Sequence, residues 1–233
     1  MNYTQLKNTI KSYVENDFPA TTGIGDLTSD QQINTFITQA ELRIYNAVQF
    51  PSLRKNVTGA TTSGNKYLSC PSDFLAVYSM AVIADSEYVY LLNKDVNFIR
   101  EAYPSVLTAN NGLPRYYALF GPATTNTTPA LITNELTFIL GPTPDSNYSV
   151  ELHYYYYPES ITTATTSWLG DNFDTVLLYG SMMEAYSFMK GENDILANYT
   201  QRYQEALAQA KRLGDGMERG DAYRDGQYRQ KVV

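Results

Sequence analysis

Two pairs of amphipathic segments, one pair at each end of the chain, constrain the fold most strongly. Residues 33–48 place apolar side chains at every third or fourth position, as do residues 196–213, and this spacing is typical of a helix with one buried face. Helical patterns also cover residues 3–16 and 171–190. Packing the four helices on one another is the simplest way to hide these stripes from water. The sequence therefore predicts a four-helix body built from both ends of the chain.

Polar residues mark the expected starts of these helices. Asn2 with Gln5, and Ser29 with Gln32, have the spacing of a capping box, in which each side chain bonds the backbone N–H of the other residue. Asp171 is the expected cap of the third helix.

The third helix is apolar on most sides, which is typical of a helix that packs against several neighbours. Its large side chains are therefore expected to lie in the core. We predict that four of them are buried: Phe173, Leu177, Leu178 and Phe188.

Between the two helical pairs, the pattern changes to short strand-like runs separated by turn residues. The expected strands are residues 67–69, 75–83, 88–92, 116–120, 136–140 and 150–156. Residues 58–65 are expected to form a turn, and one helix is expected near residues 95–103. The predicted fold class is therefore α+β, with a mainly antiparallel β domain inserted into the four-helix body.

The predicted boundaries follow from these changes of pattern. Residues 1–51 hold the N-terminal helices, residues 52–167 the inserted β domain, and residues 168–213 the C-terminal helices. Gly214 is the expected end of the last helix. Residues 214–233 are expected to form an extended, flexible arm, because glycines and balanced charges leave too little apolar surface to fold.

The arm is also the expected docking element, although a frayed terminus is the alternative interpretation. Tyrosine and arginine are enriched where interfaces concentrate their energy. Tyrosine buries a ring at little rotamer cost, and arginine pairs bidentately with carboxylates. The candidate docking residues are Arg219, Tyr223, Arg224, Tyr228 and Arg229.

Catalytic and metal chemistry is poorly represented in the sequence. The chain has one cysteine, Cys70, and one histidine, His153, and no nucleophile motif surrounds either residue. The carboxylates are scattered and do not have metal-ligand spacing. We therefore predict no catalytic residue, no metal ligand and no cofactor, and we do not expect an enzyme.

The net charge of −7 argues against a protein that reads nucleic acid, because no basic stripe follows the phosphates. No window approaches the roughly 20 apolar residues of a membrane span, and the first residues lack a signal-peptide core. The chain is therefore expected to be made in a cytoplasm, without a membrane partner.

Four stretches, taken in order, give the chain a family resemblance. They are Cys-Pro-Ser-Asp-Phe-Leu at 70–75, Gly-Leu-Pro-Arg-Tyr-Tyr-Ala at 112–118, Ile-Leu-Gly-Pro-Thr-Pro at 139–144, and the tyrosine-rich strand, Thr-Thr-Ser-Trp-Leu loop and two helices of residues 151–213. Together they resemble the adaptor (head-to-tail connector) proteins of short-tailed bacteriophages. The likeness covers most of the chain, and the Thr/Asn-rich loops depart from it.

The resemblance implies a structural virion protein that assembles as a homo-oligomeric ring of twelve copies. Such a ring is assembled in the host cytoplasm, joins the portal to the tail nozzle and lines the channel through which DNA leaves. The mildly acidic net charge fits a channel wall past which double-stranded DNA slides without sequence reading. The resemblance also implies that the C-terminal arm lies on the portal, and that loops of the β domain contact neighbouring subunits and the tail.

Two other functions stay open. The first is a carbohydrate- or receptor-binding module of a phage tail, with Tyr154 to Tyr157 as sugar platforms. Alternate residues of a strand face opposite ways, so at most two of these four tyrosines share a face. The second is a hydrolase embedded in the tail, which the single histidine and the lack of paired acids disfavour.

Overall fold

The chain forms two compact units. The helical unit comprises Met1–Leu53 together with the chain from Tyr157 onward, and the β unit comprises Arg54–Tyr156. The structure, a computed structural model, describes residues 1–21, 25–105, 107–121, 124–125, 131–132 and 136–219, with the backbone alone for 124–125, 131–132 and 215–219.

The fold class is α+β, as predicted. The described residues form seven α-helices: α1 (Tyr3–Val14), α2 (Ser29–Ala47), α3 (Val96–Ala102), α4 (Ile161–Ala164), α5 (Trp168–Asn172), α6 (Asp174–Phe188) and α7 (Asn193–Arg219). The strands are β1 (Arg54–Ala60), β2 (Tyr67–Ser69), β3 (Ala76–Ala84), β4 (Glu87–Tyr90), β5 (Leu92–Asn93), β6 (Tyr116–Phe120), β7 (Thr124–Thr125), β8 (Leu131–Ile132), β9 (Thr137–Gly141) and β10 (Ser149–Tyr155). Short 3-10 helices cover Pro51–Leu53 and Thr108–Asn110.

The helical unit is built around α6, against which α1, α2 and α7 all pack. At Gly180, an added Cβ atom would lie 3.2 Å from the Cβ of Ala40 on α2 and 3.2 Å from the ring of Tyr203 on α7. Glycine therefore lets three helices approach at one point. Arg43 of α2 also forms an ion pair with Glu184 of α6.

The expected core residues of α6 are only partly confirmed. Leu177 and Leu178 are buried, and Phe173 is half-buried at the break between α5 and α6. The prediction for Phe188 is wrong, because 54% of its surface is exposed. Phe188 is the last residue of α6, and its ring lies beside those of Phe36 and Phe18, with centroid distances of 5.3 and 6.4 Å.

The first predicted capping box is confirmed, and the second is displaced by one residue. Asn2 and Gln5 exchange side-chain-to-backbone bonds at the start of α1. At α2, however, the box is formed by Thr28 and Gln31. Gln32 is buried instead, and its amide donates to the carbonyl of Pro19 at 3.1 Å.

Asp171 is not a helix cap. Ser167 caps α5 by accepting a hydrogen bond from the backbone N–H of Gly170 at 3.0 Å, and Asp171 lies inside that short helix. The chain then breaks at Phe173 before α6 begins at Asp174. The one predicted helix is therefore two helices.

The last helix does not end at Gly214. α7 continues to Arg219, and Gly214 lies inside it. An added Cβ atom at Gly214 would lie 2.9 Å from the backbone oxygen of Gln49 and 3.1 Å from the side chain of Val48. Glycine is therefore needed here for close packing against the segment after α2, and it does not end the helix.

A buried carboxylate joins α2 to the loop that precedes α5. Glu41 is 2% exposed, and its Oε1 accepts a hydrogen bond from the backbone N–H of Ile161 at 3.0 Å. Burial raises the pKa of Glu41, and this hydrogen bond opposes the rise. Ile161 itself is fully buried, so the carboxylate holds α4 against the core.

The β unit contains two four-stranded sheets and a small β7–β8 ribbon. The strand order is β1-β10-β3-β4 in the first sheet and β2-β9-β6-β5 in the second. The pairing is antiparallel everywhere in the described residues except between β5 and β6. The prediction of a mainly antiparallel β domain is therefore confirmed.

Strand β1 was not predicted. Thr58, Gly59 and Ala60 were expected to begin a turn, yet they pair with β10 up to the Ala60–Ser149 pair. β1 is an edge strand, and nearly all of its residues are exposed. Such a strand lacks the alternation of apolar and polar residues that identifies strands in a sequence.

The two sheets enclose one core, and α3 covers the far side of the second sheet. Their shared cluster includes Met80, Val82, Leu152 and Tyr154 from the first sheet and Tyr117, Phe138 and Leu140 from the second. Ile99 of α3 packs on Ala118 and Ile139. Within the described part of the β unit, no helix packs on the far side of the first sheet as α3 does on the second, and this face is called the open face below.

Candidate interaction surfaces

The predicted docking arm begins near the end of α7. Arg219 is the last residue of this helix, and only its backbone is described. Tyr223, Arg224, Tyr228 and Arg229 lie outside the described residues. The docking role of these five residues therefore stays a prediction.

The open face of the β1-β10-β3-β4 sheet is rich in exposed tyrosine. Tyr78 is 47% exposed, Tyr88 57% and Tyr90 66%. Tyr88 and Tyr90 both belong to β4, where the period of two places them on the same side. These three residues were not singled out from the sequence, although the spacing of Tyr88 and Tyr90 is a signal that could have identified them.

A cation and two rings form one edge of the open face. The guanidinium of Arg54 lies over the ring of Tyr78 at 4.5 Å and over that of Tyr155 at 5.7 Å. The two rings meet edge to face with centroids 5.9 Å apart. A register shift between β10 and β3 at His153 and Tyr154 lies next to this cluster. Stacking of this kind fixes side chains that are otherwise free to move in solvent.

Glu151 lies at the centre of a polar network on the same face. Its Oε1 accepts a hydrogen bond from Asn56 at 3.2 Å and lies 3.4 Å from Nε2 of His153. The Tyr88 hydroxyl also bonds Glu151, which raises the pKa of Tyr88. Nδ1 of His153 lies 3.3 Å from Oγ of Ser79.

Ser79, His153 and Glu151 are the residue types of a hydrolase triad, but their setting does not supply the rest of such a site. They lie on β3 and β10, and each of these strands pairs on both sides. Most backbone N–H groups of these two strands are therefore used in the sheet, which leaves few to form an oxyanion hole. The three side chains are better described as a cross-strand hydrogen-bond network.

The other predicted chemistry candidates do not converge. Cys70 is buried in the core between the sheets, whereas His153 is on the open face, so the sheet separates them. Among the described residues, no group of three or more His, Cys, Asp and Glu side chains could hold a metal ion. No described helix has both the length and the apolar character needed to cross a bilayer.

The four consecutive tyrosines point to different places. Tyr154 is 1% exposed, and its hydroxyl donates to Oδ1 of Asp73 at 2.8 Å. Tyr155 belongs to the open face, and Tyr156 lies beside the Lys55 ammonium. Tyr157 belongs to the helical unit and donates to Asn46 at 2.7 Å. One shared sugar platform at these four residues is therefore not formed.

Comparison with known families gives one match over nearly the whole chain. A family model described as SU10 adaptor protein matches residues 1–230. A search of curated proteins found no match.

Proposed function

Because the chain belongs to the SU10 adaptor protein family, we propose that it is a ring protein that joins the portal of a phage head to the tail nozzle. The chain is a phage adaptor protein and a component of the virion. Its role in this proposal is structural rather than enzymatic. The match over residues 1–230 carries the proposal, because it includes both units and most of the arm.

The surface of the chain supports assembly into a ring. A closed ring needs a heterologous interface, in which a patch on one subunit meets a different patch on the next. Two different patches expose aromatic rings: the open face of the β unit, and the end of α6 where Phe188 is 54% exposed. Tyrosine and phenylalanine are enriched in interface cores. In this proposal twelve copies close the ring, in keeping with the family resemblance.

The charge of the chain supports a channel that DNA passes without being held. The net charge is −7. An acidic lining repels phosphates and releases no counterions, so it has little affinity for DNA of any sequence. In the proposed ring, double-stranded DNA is therefore cargo that moves through the channel.

The two ends of the ring are assigned to different parts of the chain. The end of α7 and the arm that follows it bind the portal, with Arg219, Tyr223, Arg224, Tyr228 and Arg229 as anchors. The β unit binds the tail nozzle protein. An arm that orders only on the portal would couple the joint to the presence of its partner.

Electron microscopy of the purified protein mixed with portal-bearing heads tests this proposal. We expect a twelvefold ring at the portal vertex. The sharpest variant ends at Arg219, because this truncation retains α7 and the packing of Gly214 against Gln49. It should keep its melting temperature and lose attachment to the portal.

A matched control keeps the length of the arm and changes only its rings, as Tyr223→Ser with Tyr228→Ser. This variant should attach more weakly than the full chain and more strongly than the truncation. Attachment of the truncated chain at full strength would show that the ring body makes the joint. Failure of the full chain to form a ring would overturn the assembly itself.

The open face also gives the carbohydrate-binding alternative a specific site. Tyr88 and Tyr90 offer rings, and Asn56 and Glu151 offer hydrogen-bonding groups beside them. Aromatic platforms with adjacent polar groups are suited to sugars. A glycan array that gives binding by the full chain, and loses it in Tyr90→Thr, would favour this second function.

A further inference from the structure

A cleft of about 460 Å³ lies on the side of the β unit that α3 covers. Its apolar wall includes Ile99 of α3 and Ile139 of β9. The cleft is separate from the open face, because Ile139 belongs to the second sheet and lies on the side that α3 covers. Its lining combines cations, neutral polar groups and aromatic rings.

Two cations line the cleft and no carboxylate does. The cations are Lys66, next to β2, and Arg100 of α3. Within the residues that the structure describes, neither has an ion-pair partner. Glu101 follows Arg100 on α3 but does not line the cleft. Lys55 of the same unit, in contrast, is paired with Asp73 at 2.7 Å. The Lys66 ammonium lies 5.5 Å from the centroid of the Tyr67 ring, which leaves its charge unneutralised. Positive charge that no carboxylate neutralises attracts an anion at a concave wall.

Neutral donors add to this preference. Oδ1 of Asn65 accepts a hydrogen bond from the backbone N–H of Tyr67 at 3.0 Å, and its amide nitrogen has no partner among the described residues. The side chains of Asn111 and Thr143 also line the cleft and have no hydrogen bond in the same part of the chain. The cleft therefore offers more donors than acceptors, which suits a carboxylate.

The rest of the lining suits a ligand with an apolar part. Ile99, Ile139 and the rings of Tyr67 and Tyr103 form the remaining walls. A single carboxylate or phosphate fills only a small part of about 460 Å³, whereas cavities of roughly 300–1,000 Å³ hold larger ligands. We propose that the cleft binds a short acidic peptide segment of a partner protein, with an Asp or Glu carboxylate held by Lys66 and Arg100.

Nucleic acid fits the cleft less well than a peptide does. Two cations in one concavity do not make the stripe that follows a phosphate backbone. The chain as a whole carries a net charge of −7, which opposes the approach of a polyanion. This peptide site concerns the β unit alone, and it does not depend on the ring or on the arm.

Fluorescence anisotropy with the full-length protein tests the site. The probe is a fluorescein-labelled peptide in which three glutamates alternate with leucine. A second peptide, with glutamine in place of each glutamate, serves as the uncharged comparison. The third probe is a single-stranded oligonucleotide with about the same charge as the glutamate peptide. The decisive variant is Lys66→Gln with Arg100→Gln. Its matched control is Lys94→Gln with Arg115→Gln, which removes the same charge from the same unit outside the cleft.

We expect saturable binding of the glutamate peptide and at least about tenfold weaker binding by Lys66→Gln with Arg100→Gln, because charge-assisted hydrogen bonds are lost. The control variant should bind within about twofold of the unchanged protein. The proposal is overturned if the unchanged protein does not bind the peptide, or if the two double variants weaken binding equally. Tighter binding of the oligonucleotide than of the peptide would also overturn it.

Discussion

The helical unit buries most of its central helix, whereas the β unit exposes tyrosine rings on one face of its first sheet. On α6 even Ser181 is fully buried, with its hydroxyl donating to the carbonyl of Leu177 at 2.8 Å. On the open face, Tyr90 is 66% exposed. The middle of α6 is therefore buried on nearly all sides, whereas the open face of the β unit exposes several tyrosine rings.

This contrast separates residues that stabilise the fold from exposed residues that can contact another protein. The core of the helical unit depends on close approach, as at Gly180, so it tolerates little change in volume. The open face is held by cross-strand bonds such as that from Asn56 to Glu151. Its side chains can change with little loss of packing. Four sets of substitutions test this contrast.

The largest expected effect is a cavity in the helical core. Leu177→Ala should lower the free energy of unfolding by about 2–5 kcal/mol, because Leu177 is 1% exposed and its neighbours relax only partly. Tyr90→Ala in the β unit should cost about 1 kcal/mol or less. Urea unfolding measures both. Equal costs would remove the distinction between the two units.

Two buried tyrosines should respond with opposite sign when they lose a hydroxyl. Tyr154→Phe in the β unit removes the hydrogen bond to Asp73 and should cost about 1–2 kcal/mol. Tyr203→Phe in the helical unit removes a buried hydroxyl that has no partner among the described residues. This change should leave stability unaltered or raise it by up to about 1 kcal/mol.

Thermal melts of the two phenylalanine variants under one buffer check this pair. A clear loss of stability in Tyr203→Phe would show that its hydroxyl is bonded in solution. No loss in Tyr154→Phe would show that the bond to Asp73 does not contribute to the fold.

Glu41 and Asp73 should give opposite dependence on pH. Burial raises the pKa of Glu41 above its ordinary value of 4.5. The folded state therefore binds more protons than the unfolded state in this window, and stability falls as the pH rises from 4.5 through the raised pKa. Glu41→Gln keeps an acceptor for the Ile161 N–H without the charge, so its stability relative to the unchanged protein should increase over that range.

Asp73 behaves in the reverse way. The hydrogen bond from Lys55, helped by that from Tyr154, holds the pKa of Asp73 below its ordinary value of 3.8. Its contribution is present above pH 3.8 and is lost as the pH falls through the folded pKa. Asp73→Asn should therefore be less stable at neutral pH and approach the unchanged protein in acid. Urea midpoints from pH 3 to 7 measure both, and parallel curves for the two variants would contradict the assignment.

The smallest expected effect on stability is on the open face. The triple change of Tyr78, Tyr88 and Tyr90 to Thr keeps strand-forming side chains and should alter unfolding free energy by about 1 kcal/mol or less. If the open face is a subunit interface, ring assembly should nevertheless weaken, which sedimentation measures. Unchanged assembly would assign the interface elsewhere.

Periodicity predicted most of the helices and strands, because apolar stripes leave a repeating signal in the sequence. Single residues at the ends of elements were harder to predict. Thr28-Gln31 and Ser29-Gln32 both have capping-box spacing, and only the burial of Gln32 against Pro19 selects the first. Glycine often ends a helix, and Gly214 was therefore expected to end the last one. In the structure Gly214 lies inside α7, where it allows close packing on Gln49.

The interaction surfaces were the least predictable part of the chain. The sequence drew attention to Tyr154–Tyr157, but these four rings lie in different places. Successive residues of a strand face opposite sides of the sheet, and Tyr157 belongs to the helical unit. The open face combines residues from β1, β3, β4 and β10, and the cleft combines Lys66 with Arg100. Such groupings depend on strand order and register, which spacing along one segment does not report.

The helical unit is discontinuous in the chain, and this has a consequence during synthesis. α1 and α2 leave the ribosome first, but α6, on which they pack, is translated only after the whole β unit. The β unit is contiguous, so its strands can pair as soon as β10 has emerged. Until α6 follows, the part of the apolar stripe of α2 that packs on α6 stays uncovered. Nascent chains that stop before Asp174 should therefore bind chaperones through their N-terminal helices. These helices are synthesised first, but they are buried only after α6 has been made.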